Sequence, residues 1–361
     1  MSGHEPRLTL LLGGGGVGKT TLAAGLALSL ARRGRHVGLL TIDPAERLRT
    51  ALGLEALGET PILVAGALPG TLRAASLRPA DTLRRWGQEA VAGLAHRDQL
   101  LQNPFFIALS DRLAGASDTI AAIRVAEWIE RDPAVDDLVI DTAPGLQAVD
   151  FLAKPERLSA FLQGRIVSWA RRFALDREAP GSRLRALLLR PARGRLEALE
   201  HLGGAGMLLH FGQFLSLVEA ALPALLDRLA HSRRLLRASS SRLLLVAAPR
   251  PDAVRSIVAM RAALDRLELR PRATVLNRAL PEAMGPALEV LPAEALADPR
   301  VAALVSMARG SLRLQRMARA ALAGQGLPLL PLPDVSGLEA DGTPRLDGLT
   351  ALGSALLAQL P

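Results

Sequence analysis

Short apolar runs alternate along this chain with longer stretches in which apolar residues recur every three or four positions. The short runs are RLTLLLG from Arg7, HVGLLTID from His36, DLVIDTAP from Asp137, RLLLVAAP from Arg242, RATVLNR from Arg272 and LPLLPLP from Leu327. Each is bounded by Gly, Pro or Asp, so each reads as a buried strand. The first intervening stretch, Thr20 to Arg33, has helical spacing and stops at Gly34, a residue free to leave the helix in the left-handed conformation. Strands and crossover helices in this order predict an α/β fold with a mostly parallel sheet flanked by helices.

The alternation breaks between about Phe151 and Ser240, where no strand is legible. This predicts a helical insertion subdomain over 151–240, dividing a core into a first part, 1–150, and a second part, 241–361. Within it, nine arginines lie between Arg165 and Arg195 against only Asp176 and Glu178. A following stripe of Phe214, Leu217, Val218, Ala221, Leu222, Leu225 and Leu229 marks an apolar helix face. Pro223 inside the stripe predicts a kink or a break. The stripe reads first as core packing, and second as a groove for the apolar helix of a client or membrane protein. The last stretch carries Leu346, Leu349, Leu352, Leu356 and Leu360 with only Arg345 beside them. It is therefore expected to pack back on the sheet rather than to bind a membrane.

Composition removes several chemistries. The 361 residues include no Cys, which excludes disulfides, thiolate-held zinc, iron–sulfur clusters and thiol catalysis. Six His, with none of His201, His210 and His231 at helical i, i+4 spacing, give no metal motif. The net charge of +9 is carried by arginine, because only Lys19 and Lys154 among the 44 basic residues are lysines. Such a chain-wide preference, with aromatics at 3%, favours a solvated basic face over sequence-specific nucleic-acid reading. No leader-like segment and no uninterrupted run of roughly 18 apolar residues is present, so a soluble, cytoplasmic protein is expected.

Against that background the lysine at position 19 stands out. Gly13-Gly14-Gly15-Gly16-Val17-Gly18-Lys19-Thr20 satisfies G-x-x-x-x-G-K-[ST] directly after a strand and at the start of a helix. Glycines let backbone N–H groups wrap phosphates where a Cβ would collide, and the helix amino terminus adds its positive dipole end. Lys19 is placed to reach the β- and γ-phosphates of ATP, and the Thr20 hydroxyl to ligate Mg²⁺. Two acids, Asp43 in TIDPAERL and Asp141 in VIDTAPG, end strands, where open α/β sheets hold ligands. One carboxylate can position attacking water while the other holds a Mg²⁺-bound water. Either one can alternatively cap the segment that follows.

GGGGVGKTT, TIDPAERL, DTAP and VLNR in this order resemble the deviant P-loop ATPases of the ArsA and GET/TRC type, relatives of MinD and ParA. DTAPGLQAVDFLAKPERLSAFL is most similar to the bacterial ArsA-like anion-transporting subgroup, and LAGASDTIAAIRVAEWI from Leu113 resembles the helix before that family's second acidic strand. The resemblance implies that Asp43 orients attacking water, that Asp141 lies near Mg²⁺, that Thr21 contacts the α-phosphate and that Asn277 reads the adenine edge. It also implies a dimer that changes conformation with ATP turnover, pairing with itself or with a related ATPase subunit. Pro331 to Asp334 fall where residues flanking the base are expected.

Three departures qualify this expectation. The family's added lysine falls at Gly14, which has no side chain, so slow turnover or a lysine-bearing partner subunit is expected. No Cys pair is present to bridge a dimer through zinc, and no Cys triad to bind arsenite. The favoured reading is a Mg-dependent ATPase serving client or membrane-protein targeting or a partner subunit. The alternatives are a ParA-type positioning ATPase that binds DNA nonspecifically and a catalytically weak nucleotide-binding subunit.

Overall fold

The computed structural model describes residues 5–42, 45–64, 69–90, 117–145, 226–334 and 346–360, with isolated positions at 92, 102–104, 107 and 223–224. These divide into two compact units, one formed by 1–77, 129–152 and 234–361, the other by 78–128 and 153–233.

In the first unit, β1 (Arg7–Gly13), β2 (His36–Thr41), β3 (Ile62–Leu63), β4 (Thr71–Ser76), β5 (Asp137–Asp141), β6 (Arg242–Ala247), β7 (Ala273–Ala279) and β8 (Leu329–Pro333) form one sheet. Its order is β3-β4-β2-β5-β1-β6-β7-β8. All neighbours run parallel except β3, which is antiparallel to β4. The P-loop α/β fold expected from the alternation is therefore the fold observed. All six strands read from sequence form. β4 was missed because TLRAAS carries Arg73 and few large apolar residues, and β3 is only a two-residue edge pairing.

The helix α1 (Lys19–Arg32) follows β1. From Leu22 to Ala31 it is buried on every side, which an apolar sequence such as LAAGLALSLA requires. One side lies on the sheet, against alternate strand positions that point the same way: Leu11, Val37, Leu39, Val139, Leu244 and Val246. The other side is covered by α9 (Leu346–Gln359), through Leu349, Leu352 and Leu356. The leucine-rich last stretch thus packs chiefly on α1, and it also reaches β8, where Gln359 Nε2 donates to the Pro331 carbonyl at 3.1 Å. The two helices approach backbone to backbone. A Cβ on Gly25 would fall far inside van der Waals contact with the Leu349 carbonyl, and one on Gly353 would strike the Gly25 carbonyl. Ser29, a polar residue in this seam, donates to the Thr350 carbonyl at 2.8 Å.

Helix α2 (Ala45–Ala51) follows β2. Between β6 and β7 runs α5 (Pro251–Arg266), and between β7 and β8 lie α6 (Met284–Glu289), α7 (Ala293–Leu296) and α8 (Pro299–Ala323). The second unit contains α3 (Pro79–Ala90), most of α4 (Ser117–Arg131) and helical residues 226–233. There Arg85 grips Glu127 with two hydrogen bonds at 2.6 and 2.8 Å, while Arg124 pairs with the same carboxylate and lies over the Trp128 ring. The segment Arg165 to Arg195 and the stripe from Phe214 lie outside the described residues, apart from its end at Leu229, which is buried.

Candidate nucleotide site

β1 lies between β5 and β6, and the chain leaves it toward β2 on one side and later resumes at β6 on the other. The strand order therefore reverses beside β1, and the carboxyl end of such a strand opens into a crevice. The glycine-rich loop sits there. Gly13 has to be glycine because β6 runs so close that a Cβ would collide with the Val246 carbonyl. Gly18, at φ 91°, needs its freedom for two reasons, since a Cβ would also strike the Asn277 amide. Val17, 1% exposed, pins the loop into the core. Gly18 caps α1 without a side-chain hydrogen bond, and no acid lies in the first turn. The first amides of α1 and its positive end are thus directed at the hollow of the loop.

Lys19 is buried at 6% exposure, with Nζ folded back onto the carbonyls of Gly13 and Gly14 at 3.1 and 3.0 Å. The next residue, Thr20, donates its hydroxyl to Asp141 Oδ2 at 2.8 Å, and Thr41 at the end of β2 donates to the same oxygen at 3.0 Å. A hydroxyl and a carboxylate so joined are hard oxygen donors suited to Mg²⁺. Beyond β5, the N–H of Gly145 (φ 71°) donates to the Gly13 carbonyl at 2.9 Å, and the Thr142 hydroxyl donates to the Leu11 carbonyl at 2.6 Å. Lys19 and the loop after β5 therefore share one acceptor on the glycine-rich loop.

Of the residues read from sequence, the structure brings together Gly13 to Thr20, Asp141 and Asn277. Thr21 lies half-buried in the first turn of α1. Asn277 is buried, and its Nδ2 donates to the Val17 carbonyl at 2.9 Å, so it braces the loop from β7. Asp43 lies outside the described residues. Among the described residues no group of three or more His, Asp or Glu is arranged to hold a metal, and no helix is long and apolar enough to cross a membrane. Sequence reasoning passed over Thr41, Gly145 and two arginines on the loop's rim, Arg250 and Arg278. The VLNR motif contained the last of these, one position beyond the residue it was read for.

Residues 7–175 match the family model described as anion-transporting ATPase. The chain is 31% identical over 295 residues to an uncharacterized protein of Streptomyces coelicolor, covering 76% of this chain and 63% of that protein. It is 31% identical over 163 residues to the arsenical pump-driving ATPase of Acidiphilium multivorum, with 44% and 27% covered. It is 29% identical over 161 residues to the ATPase GET3 of Lachancea thermotolerans, with 42% and 45% covered. The matched portion, residues 7–175, is of the ArsA/GET P-loop ATPase type. The chain spans between about a quarter and just under two thirds of the length of these relatives.

Within the ArsA/GET-type frame, the side-chainless Gly14 is not dictated by space. A Cβ there would meet Ser256 Oγ of α5 at 3.5 Å, an ordinary contact, and at Gly15 it would meet nothing. Gly13 and Gly18 thus stand where any side chain collides, Gly14 and Gly15 where one fits, and Gly16 has space but a left-handed φ of 68°.

Proposed function

We propose that this chain binds MgATP in the Gly13–Thr20 cradle and hydrolyses it, and that turnover drives a dimeric switch serving client or membrane-protein targeting or a related ATPase subunit. The observation that carries this reading is the shared carbonyl of Gly13, which accepts from both Lys19 Nζ and the Gly145 N–H. A phosphate that draws Lys19 away changes the hydrogen bonding of the acceptor on which the loop after β5 rests. Occupancy of the cradle is then transmitted to a backbone segment that does not itself hold nucleotide. Mg²⁺, held by Thr20 with Asp141 behind it, would neutralise phosphate charge. The ends of this chain's chemistry are Lys19 on the phosphates, the α1 amides around them, Asp43 for attacking water, Thr21 at the α-phosphate and Asn277 at the base edge.

The test is steady-state ATP turnover of the purified chain, paired with light-scattering mass with and without ATP. Turnover with an ATP-dependent dimer is the expected result. Lys19→Ala should abolish it, and Asp43→Asn should abolish turnover while sparing ATP binding. Failure of the wild-type chain to bind ATP would overturn the reading.

A second reading, a nucleotide-binding subunit with weak turnover of its own, is favoured by Gly14, where a side chain has room and none is present. It predicts that Gly14→Lys raises turnover of the isolated chain, or that a lysine-bearing partner does so.

A further inference from the structure

The conformation of Arg278 is unusual. It lies near the end of β7 at φ 58°, in the left-handed region, and only Glu268 shares this among the non-glycine described residues. The register between β7 and β8 shifts between Leu276 and Ala279, so Arg278 sits on a bulge. A bulge re-aims a side chain, and a bulky residue held left-handed is strained, so the surrounding structure has to sustain it. Here the re-aimed side chain is exposed and arrives at the phosphate-binding loop, where NH1 donates to the Gly16 carbonyl at 3.5 Å. A second guanidinium comes from the other side. Arg250, preceding α5, donates from NH2 to the Gly15 carbonyl at 3.4 Å and also pairs with the exposed Asp252 at 3.2 Å. Gly15 and Gly16 are the two exposed residues of the loop.

Long hydrogen bonds to loop carbonyls leave most donors of each guanidinium available, since Arg carries five. Two arginines from separate strand ends thus stand over consecutive residues of the loop. Bidentate guanidinium–phosphate pairing is the contact for which this geometry is suited.

We infer that Arg278 and Arg250 form a cationic clamp on the rim of the cradle that grips the terminal phosphates of the bound nucleotide. This rests on the nucleotide reading above and assigns residues which that reading does not use. The left-handed bulge is what makes the clamp: in ordinary strand geometry the residue after Asn277 would point to the opposite face of β7 from it, and the bulge instead turns both toward the loop.

Binding of MgATP, MgADP and AMP to the full chain tests it, measured by calorimetry on wild type, Arg278→Gln, Arg278→Lys and Arg250→Gln. Glutamine can still donate to the Gly16 carbonyl but has no charge, whereas lysine keeps the charge. The clamp predicts that each Gln variant weakens MgATP on the order of ten-fold, that Arg278→Lys, which keeps the charge but not the bidentate fork, weakens it less than Gln does, and that AMP binding is unchanged. Arg278→Gly should weaken MgATP equally while raising Tm by about 1–3 °C, because glycine adopts the bulge without strain. Gln variants that bind MgATP as wild type does would overturn the clamp, as would equal weakening of ATP and AMP or a fall in Tm for Arg278→Gly. A wild-type chain that binds no nucleotide would instead remove the reading on which the clamp rests.

Discussion

β5 carries two aspartates at its two ends, both fully buried and both accepting hydrogen bonds, yet their surroundings have opposite chemistry. Asp141, at the carboxyl end, accepts from the neutral hydroxyls of Thr20 and Thr41. Asp137, at the amino end, is bound by Arg35, has Arg7 NH1 at 3.9 Å, and lies in the field of Arg242. Hydroxyls can rotate and give up a carboxylate to a metal or to water. Guanidiniums held in place by strand ends cannot. One strand thus ends in a carboxylate held by hydroxyls and begins with one held by guanidiniums, and the partner, not the burial, tells them apart.

Neutralising each aspartate in turn should separate the two roles. Asp141→Asn keeps the shape and should lower ATP turnover by at least about 100-fold, with Tm within a few degrees of wild type; steady-state kinetics and calorimetry check both. Asp137→Asn should do the reverse. It leaves partly buried positive charge without its counterion and should cost about 1–3 kcal/mol, at the lower end of what breaking a buried pair costs because Arg7 and Arg35 are about a third exposed. Denaturant midpoints measure that loss, while MgATP affinity of the folded protein should stay within two-fold.

A smaller effect is expected at Arg242. Burial, and then the charge of Arg7, hold its guanidinium below the usual arginine range, with Arg272 and Arg35 adding to this against the opposing pull of Asp137. A base whose folded pKa is depressed is disfavoured by folding in its charged form, so at neutral pH its charge opposes stability. Arg242→Gln should therefore raise Tm by about 1–2 °C in a thermal melt. The smallest effect is expected at Gly14→Ala, which should leave Tm unchanged within a degree, whereas the same change at Gly18 should abolish ATP binding. Equal damage at both would contradict the distinction between roomy and crowded loop glycines.

The carboxyl end of the sheet was legible in sequence because its chemistry is local. One octapeptide specifies strand end, loop and helix start, and Asp141 follows from a strand ending in an acid. The amino end was not, because Asp137 and Arg35 are 102 positions apart in the chain and meet only through β2 and β5 register. Arg278 was invisible for a different reason: a left-handed bulge in a strand has no composition of its own when glycine is not used to make it. For Asn277, VLNR located the residue, and the loop carbonyl it supports emerged only from the packing of β7 beside Gly18. The covering of α1 by the last helix was half legible, since an all-round apolar helix demands a second cover without saying what supplies it.

The seam between Gly25 and Gly353 has a consequence for how this sequence can drift. Most core contacts join side chains, so a larger residue on one side can be answered by a smaller one on the other. Here main chain meets main chain, and neither position has anything left to give up. Any enlargement at one glycine is without a compensating change at its opposite. The helix that begins at Lys19 and the helix near the other end of the chain are thereby locked together at the face they share.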